Sequence, residues 1–510
     1  MSTNNLLITT NNLLITTAIS YTNGSPHIGH LYESVLADFL TRSFKLFTNV
    51  KLLTGTDEHG KKIESTALAQ NITPIELCNI NSLKFKQLND KLGVGYDYFI
   101  RTTDPVHKEL VSKSIQISNL ADDIYLDQYT GYYNVREECF VSELEASQSN
   151  YLDLVTGKPL ERITEESYFF RLSKYKDYIK QLNIDGLVFP SGCFSSDSRL
   201  DTLKDLSISR TSFNWGIEFP ILISDEDLKV NKHSNHIVYV WFDALLNYVT
   251  GSKILFNSNT NSNPNQIIHL IGKDIVWFHS VIYPAILKSC GYESQAQAKN
   301  ILVHGFIQDK NGIKMSKSLG NVIEPEELFS KYPVDSIRYY LIMETIWGED
   351  IKFNEDRLKD LYNNQLIKDF GNLFQRLFTL AKPIVNELNE YFNINSDNII
   401  ESNTKFLNEL EALIKSYAHN QYKGLIVSKC AYANKELTDK KPWEKSVSLD
   451  TKIQIIGTLL IILKQIMLLH YPIIPEKIIQ LAGYLGWTIN IDPNFKLSID
   501  VDKIKAFVAI

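Results

Sequence analysis

The sequence predicts an α/β domain on a parallel sheet, split by an insertion and followed by a domain made only of helices. The sheet is predicted from short apolar runs, each of which leads into a polar or aromatic cluster. In open α/β sheets, the ligand-binding residues follow the carboxyl ends of the strands. A stretch rich in aromatic residues and turns interrupts these runs, and apolar positions at near-3.6 spacing follow them. The runs are residues 13–17, 50–53, 237–241, 267–271 and 301–303, the interruption is 120–232, and the helical pattern is 355–483.

At 510 residues the chain is long enough for two or more domains. We expect the boundaries between domains to lie where the pattern of apolar residues changes. The expected segments are the first half of the α/β domain (11–118), the insertion (119–232), the second half (233–325), a linking helical segment (326–354) and the helical domain (355–510). Further helices are predicted at 61–68, 74–88, from 324 and at 335–343, and residues 459–469, apolar nearly all round, are predicted to be the buried helix of the bundle.

Composition excludes some classes of protein. The net charge of −7 argues against a wholly basic surface, but local patches still permit a nucleic-acid partner. We see no uninterrupted apolar run that would cross a bilayer and no secretory leader, so no membrane partner is expected. The five cysteines are scattered without a C-x-x-C pair, which favours neither a disulfide framework nor a zinc knuckle. A reducing cytoplasm is the expected compartment.

The first strand adjoins a histidine motif. Residues 4–10 recur unchanged as 11–17, and the second copy is expected to form the strand because it lies next to the motif. His27 and His30 then begin a stretch with helical apolar spacing. The free N–H groups of a helix N-terminus favour phosphate, and Gly29 allows close backbone approach. Alone, either histidine would more simply be a helix cap or a surface residue.

A second motif follows the run at 301–303. Lys314, Ser316 and Lys317 lie in the stretch Lys-Met-Ser-Lys-Ser, with a glycine close behind. Two lysines and two hydroxyls make a cationic, donor-rich loop that suits a triphosphate, since a lysine ammonium can follow a phosphoryl group. Alone, this stretch would more simply be a solvated basic turn.

Together the two motifs resemble the signature pair of class I aminoacyl-tRNA synthetases, and the residues around them resemble methionyl-tRNA synthetases. The matching stretches are 18–24, 54–60, 208–210, 239–245 and 271–279. The resemblance implies a Rossmann-like catalytic domain and an anticodon-binding helical domain. It implies that ATP and L-methionine form methionyl-adenylate, and that the methionyl group passes to the 3′-terminal adenosine of initiator and elongator methionine tRNA. Mg²⁺ is the expected charge partner of the polyphosphate.

The resemblance also implies roles in nucleotide chemistry. The implied ATP-binding residues are His27, Gly29, His30, Gly272, Lys314, Ser316 and Lys317. The implied catalytic residues are Lys317, Lys314, His27, His30, Asp57 and Arg210, with Lys317 the preferred transition-state contact. A helix cap is the alternative for Asp57, and a salt bridge that docks the insertion is the alternative for Arg210.

Methionine offers an amine, a carboxylate and a thioether, so its site calls for an acid and for aromatic walls. The implied residues are Ala18, Ile19, Tyr21, Asp57, Trp241, Ala244, Leu245, Tyr248, Asp274 and His279. Some relatives carry proline in place of Leu245 and leucine in place of Ile19, and both exchanges remain apolar. Without the two signatures, Trp241 and Tyr248 would more simply be core aromatics.

For the anticodon, the resemblance implies Asn372, Arg376 and Trp443. Asn372 and Arg376 are four apart and would share one helix face, and an unstacked base can stack on tryptophan. Without the resemblance, a capping asparagine and a rim tryptophan would be the simpler interpretation.

Zinc-containing relatives carry cysteine knuckles in the insertion, where this chain has only Cys139 and Cys193, so we expect no zinc. Longer relatives dimerise through an appended domain that we do not find before Ile510, so a monomer is expected. Two alternatives stay open. One is a class I synthetase for another apolar amino acid, although the leucine, isoleucine and valine enzymes carry a large editing insertion. The other is a non-catalytic tRNA-binding relative, against which both intact signatures argue.

Overall fold

The structure is a computed structural model that describes residues 9–134, 139–141, 143–153, 157–194, 197–220, 236–256, 264, 266–313, 315, 321–491, 496–499 and 507. It confirms the predicted fold class, a parallel α/β sheet followed by helices. The boundaries of the five expected segments stay predictions.

The first part of the chain alternates strands with helices. The apolar second copy of the repeat lies within the first strand, and a threonine–glutamate capping box starts the helix at Pro74. The elements are β1 (Thr9–Thr17), β2 (Ser20–Tyr21), α1 (Ile28–Lys45), β3 (Thr48–Asp57), α2 (Lys61–Ala69), α3 (Pro74–Leu92), β4 (Tyr98–Arg101) and α4 (Pro105–Leu120).

The aromatic-rich stretch forms a separate antiparallel sheet whose strands lie in the order β6 (Cys139–Val141), β5 (Ile124–Asn134), β7 (Glu161–Phe170) and β9 (Leu206–Ser207). Aromatic residues favour strands, and the rings of Tyr125 and Phe169 on two neighbouring strands stack with centroids 5.5 Å apart. The elements are β5 (Ile124–Asn134), β6 (Cys139–Val141), α5 (Glu143–Gln148), β7 (Glu161–Phe170), α6 (Lys176–Ile184), β8 (Val188–Phe189), α7 (Asp197–Asp201), β9 (Leu206–Ser207) and β10 (Ser209–Arg210).

The next stretch differs from one expectation. Residues 237–241 were predicted to return to the main sheet as a strand, but only β11 (Ile237–Val238) is extended, and it pairs with β10 outside that sheet. A helix begins at Val240, and it is buried on most sides, which removes the polar face that would have marked it as a helix. The elements that follow are α8 (Val240–Leu245), α9 (Asn247–Leu255), β12 (Gln266–Gly272), α10 (Tyr283–Cys290), α11 (Glu293–Ala296) and β13 (Asn300–His304).

In the part of the remaining chain that the structure describes, helices are accompanied by one short strand pair. The elements are β14 (Ile307–Gln308), α12 (Pro325–Lys331), α13 (Val334–Glu344), β15 (Ile351–Lys352), α14 (Glu355–Asp360), α15 (Asn372–Ala381), α16 (Val385–Ile394), α17 (Ser396–Lys415), α18 (His419–Lys440), α19 (Leu449–His470) and α20 (Pro475–Tyr484). By length and hydropathy α19 could cross a membrane, but 72% of its most apolar window is buried, as expected for the core helix of the bundle.

The main sheet has the order β2-β3-β1-β12-β13-β8, with β4 also paired to β3, and its described pairings are parallel. One of its edge strands, β8, comes from within the expected insertion and pairs with β13. α1 packs on the sheet through Leu31 and Val35, and the core around it continues into the helical bundle. Parallel order brings the carboxyl ends of β1, β3, β12 and β13 to one edge.

Candidate active site

A cavity of about 460 Å³ lies at this edge, between the strand ends and the start of α1. A larger groove of about 590 Å³ lies among α16, α17, α18 and α19. We place the chemistry in the smaller cavity because both histidines of the first motif and several acids converge there. The sequence-predicted residues that line it are Ala18, Ile19, Tyr21, His27, Gly29, His30, Asp57, Trp241, Gly272 and Asp274.

His27 and His30 cap α1 reciprocally. The Gly29 N–H donates to His27 Nδ1 (3.0 Å), and the His27 N–H donates to His30 Nδ1 (3.1 Å). Because both Nδ1 atoms accept, each neutral ring carries its proton on Nε2, where it can be donated to a phosphate oxygen. A Cβ on Gly29 would lie 2.8 Å from the His27 ring, so a side chain there would displace that ring.

Two residues that sequence reasoning missed complete this side of the cavity. Glu33 follows His30 by one turn of α1, and its carboxylate lies 3.1 Å from His304 Nε2 at the end of β13. Burial acts to lower the pKa of His304, but the hydrogen bond and charge of Glu33 outweigh it, and the pKa is raised. The position of His304 at a strand end was the signal that could have identified it.

The acids lie at the ends of β3 and β12. Asp57 ends β3 opposite Tyr21 of β2, and both line the cavity. Lys62 Nζ lies 5.6 Å from the Tyr21 ring centroid and adds a positive charge beside them. Asp274 follows β12 and is exposed to solvent at the cavity.

The predicted methionine wall divides into two layers. Trp241 lines the cavity and stacks on Phe278, which sequence reasoning missed, with ring centroids 3.7 Å apart. Ala244, Leu245, Tyr248 and His279 are buried and, among the described residues, lie behind the cavity lining. The Tyr248 hydroxyl donates to His279 Nε2 (2.7 Å), because His279 Nδ1–H donates to the Ile275 carbonyl. Burial lowers the pKa of His279 to about 4, so the ring is neutral at pH 7.

A buried carboxylate supports both the acid side and the aromatic side. Asp243 of α8 accepts hydrogen bonds from His59 Nδ1 (2.6 Å) and His107 Nε2 (2.7 Å). Burial acts to raise the pKa of Asp243, but the two imidazoles outweigh it and hold the pKa at about 2. His59 follows Asp57 by two positions, and Asp243 lies on α8 together with Trp241. The network therefore connects the acid side of the cavity to its aromatic side.

Arg210 lies elsewhere. It is buried, it donates to Ser207 Oγ (2.9 Å) and to the Ser209 carbonyl (2.7 Å), and its guanidinium lies 4.4 Å from the Tyr239 ring centroid. It is absent from the described cavity lining. Its catalytic role stays a prediction.

Lys314, Ser316 and Lys317 fall outside the described residues. Met315, between the first two in sequence, lines the cavity. On the far side of this stretch, the Ile323 carbonyl accepts from the N–H of Ile28, the first residue of α1 (3.3 Å). A described residue that follows the second motif therefore contacts the first motif.

The predicted anticodon residues lie in the helical region. Asn372 is exposed on the first turn of α15, and Arg376 follows one turn later. The Arg376 guanidinium carbon lies 5.1 Å from the Trp443 ring centroid, and Trp443 is 47% exposed. These roles stay predictions.

The described residues contain no cluster of three or more histidine, cysteine or acidic side chains arranged to hold a metal ion. The side chain of Cys139 is outside the described residues, so the expected absence of zinc stays a prediction.

Comparison with known proteins identifies the family. The sequence model of the class I tRNA synthetases (M) matches residues 13–148 and 143–378. The methionine–tRNA ligase of Ureaplasma parvum is 34% identical over 499 residues, which cover 94% of this chain and 92% of that protein. The methionine–tRNA ligase of Mycobacterium tuberculosis is 38% identical over 378 residues, 72% of this chain and 69% of that protein.

Comparison with solved structures supports the same family. Methionyl-tRNA synthetase of Mycobacterium tuberculosis in complex with methionyl-adenylate superposes with a TM-score of 0.78 at 31% identity, covering 94% of each chain. The apo form of that enzyme gives a TM-score of 0.74 at 28% identity, covering 98% of each chain. The chain therefore belongs to the methionyl-tRNA synthetase family of class I tRNA synthetases.

Proposed function

We propose that this chain is a methionine–tRNA ligase whose reaction takes place in the cavity at the ends of β1, β3, β12 and β13. A carboxylate oxygen of methionine attacks the α-phosphorus of ATP, the bond to the bridging oxygen breaks, and diphosphate leaves. The 3′-terminal adenosine hydroxyl of methionine tRNA then attacks the carbonyl carbon, loses its proton and displaces AMP. The reciprocal capping of His27 and His30 beside Asp57 and Trp241 is the observation that carries this proposal.

Different residues of the cavity bind different chemical groups of the substrates. His27 and His30 present Nε2–H groups to phosphate at a helix N-terminus, and Gly272, the last residue of β12, lies on the nucleotide side. Asp57 or Asp274 meets the methionine amine. Trp241 supplies an aromatic surface for the thioether, where sulfur–aromatic contacts contribute about 0.3–1.5 kcal/mol.

The loop lysines act on the phosphates. Lys314, Ser316 and Lys317 reach the polyphosphate from the second motif. Mg²⁺ would supply positive charge that neutralises part of the polyphosphate charge, and a cavity with few acids suits an ion that enters with the nucleotide. In the described lining those acids are Glu33, Asp57 and Asp274, and Glu33 already pairs with His304.

Beyond the cavity, Asn372, Arg376 and Trp443 bind the anticodon of initiator and elongator methionine tRNA. The enzyme acts in the cytoplasm as a monomer and without zinc. The thiols of Cys78, Cys193, Cys290 and Cys430 are free, which accords with a reducing compartment.

Amino-acid-dependent ATP–diphosphate exchange, measured with each of the twenty amino acids, tests the proposal. We expect exchange with methionine alone. Exchange driven by another apolar amino acid would assign a different specificity, and absence of exchange with retained tRNA binding would assign a non-catalytic role.

A further inference from the structure

The carboxylate of Asp350 accepts three hydrogen bonds. Oδ1 lies 2.6 Å from Lys273 Nζ and 2.8 Å from the Phe306 backbone nitrogen, and Oδ2 lies 2.7 Å from Gln308 Nε2. Hydrogen bonds to a charged acceptor are shorter and stronger than neutral ones. The Asp350 side chain is 21% exposed, so water competes only partly for these contacts.

The donors belong to two segments of the cavity wall, the first of which contains Gly272, proposed above to bind ATP. Lys273 stands between Gly272 and Asp274, and Phe306 stands beside Gly305. All of these except Lys273 line the cavity. The segments continue from neighbouring strands, since Gly272 of β12 pairs with His304 of β13. One carboxylate thus joins the ends of two adjacent strands where the nucleotide is proposed to bind.

The backbone around Asp350 is itself fixed to the second segment. The Gly348 N–H donates to the Val303 carbonyl (2.9 Å), and the Ile351 N–H donates to the Phe306 carbonyl (2.8 Å). A Cβ on Gly305 would lie 2.0 Å from the Glu349 carbonyl oxygen, so only glycine permits this approach. Asp350 is not part of the described cavity lining, and therefore it acts through the residues that it holds.

We propose that Asp350 is a positioning residue for ATP, which fixes Gly272 and the segment 305–307 in the geometry that binds the nucleotide. This inference rests on the function proposed above. The aromatic methionine wall of Trp241 and Phe278 does not contact Asp350 through any of these bonds. Loss of the carboxylate is therefore expected to weaken nucleotide binding selectively.

Two readouts separate positioning from general stability. In Asp350→Ala we expect the KM for ATP in methionine-dependent exchange to rise about tenfold to a hundredfold, since small misplacements of binding groups cost up to that factor. The KM for methionine should stay within about twofold. Binding of a non-hydrolysable methionyl-adenylate analogue should weaken by the same factor as ATP, whereas binding of L-methioninol, which lacks the nucleotide, should not change. Asp350→Asn should give a smaller effect, because its amide oxygen still accepts from Phe306 N–H.

The chain offers a matched control at the opposite end of the sheet. Asp97 accepts from Lys51 Nζ (2.8 Å) and from the Leu52 N–H (2.8 Å), and it is 18% exposed. Leu52 lies five residues before Asp57 along β3, roughly 16 Å from the cavity end. Asp97→Ala should lower the melting temperature about as much as Asp350→Ala and leave the KM for ATP unchanged.

The inference is overturned if Asp350→Ala raises the KM for methionine as much as that for ATP, or if Asp97→Ala has the same kinetic effect. If Asp350→Ala does not fold, Asp350→Asn and Lys273→Met decide the question by the same ratio of KM values. A wild-type enzyme without methionine-dependent exchange would instead contradict the proposed function.

Discussion

The guanidinium of Arg376 lies 5.1 Å from the ring centroid of Trp443, within the range of a cation–π contact. Arg376 comes from the middle of α15, and Trp443 from the turn between α18 and α19. Nearly half of the tryptophan side chain remains exposed. Two residues assigned to the anticodon from sequence resemblance alone are thus neighbours in the fold, as a shared binding role requires.

Substitution of either residue should impair tRNA binding and leave amino-acid activation intact. Trp443→Ala removes a stacking surface that contributes roughly 1–3 kcal/mol per base, which corresponds to a loss of about fivefold to a hundredfold in tRNA affinity. Arg376→Ala should behave similarly, with a shallower salt dependence if it also meets phosphate. Filter binding at several salt concentrations and tRNA-free exchange measure the two steps.

Tyr432→Ala is the control for this prediction, since Tyr432 is an equally exposed aromatic residue on α18. It should not affect tRNA binding. If Trp443→Ala lowers only the melting temperature, or still prefers the methionine anticodon as strongly as wild type in transcripts with altered anticodons, the anticodon site lies elsewhere.

Lys317→Ala should slow adenylate formation at least a hundredfold with little change in ATP affinity. A contact made mainly in the transition state affects the rate constant more than binding, and one preorganised donor contributes roughly 3 kcal/mol. Single-turnover kinetics with saturating ATP measure this rate. Lys310→Ala, at an exposed lysine shortly before the motif, is the control. An unchanged rate constant would remove Lys317 from the catalytic residues.

The purified protein should contain no stoichiometric zinc. It should regain full activity after treatment with a chelator followed by fresh Mg²⁺, because the insertion lacks a cysteine pair. Elemental analysis measures the metal content directly, and one equivalent of zinc would show that the insertion was misinterpreted.

Asp38→Asn should destabilise the fold strongly. Asp38 on α1 is fully buried and accepts from Arg338 Nη2 (2.6 Å), which is itself 1% exposed. Loss of the carboxylate leaves the buried guanidinium uncompensated, at a cost of about 3–5 kcal/mol in the free energy of unfolding. Asp360→Asn, which breaks an exposed pair with Arg357, should cost about 1 kcal/mol or less. Urea titrations of both variants measure the difference.

The same carboxylate predicts acid sensitivity. Burial acts to raise the pKa of Asp38, but Arg338 and Arg42 outweigh it and the pKa is lowered. A carboxyl group with a lowered native pKa stabilises the fold above its unfolded pKa of about 4, and this contribution is lost as the pH falls through the native pKa. Below about pH 4 the stability of the wild type should therefore fall more steeply than that of Asp38→Asn. Equal slopes would contradict this assignment.

Several helices and strands could be predicted from the spacing of apolar residues within each element. The start of α1 at the histidine motif, the strand before His304 and the buried helix α19 were all predicted from spacing and apolar character. The prediction of a strand at residues 237–241 was wrong. A helix that is buried on most sides has no polar face, and its apolar run therefore resembles that of a buried strand.

Contacts between distant residues could not be predicted. His59 meets Asp243 across a separation of 184 residues, and His304 meets Glu33 across 271. No spacing within one element encodes such pairs. The three donors of Asp350 were missed for the same reason, since a lone aspartate before a short strand has no distinguishing pattern.

The order of strands in the main sheet also has a consequence for synthesis of the protein. β1 lies between β3 and β12, and β13 ends only at His304. At translation rates of about 5–20 residues per second, roughly 15–60 s pass before the strands that border the cavity have all been made. During that time one edge of β1, and after β12 has been made one edge of β12, has no partner strand. An unpaired apolar strand edge is a template for association with other chains. Nascent chains interrupted before β13 should therefore aggregate, and completion of the nucleotide site should coincide with the end of that exposure.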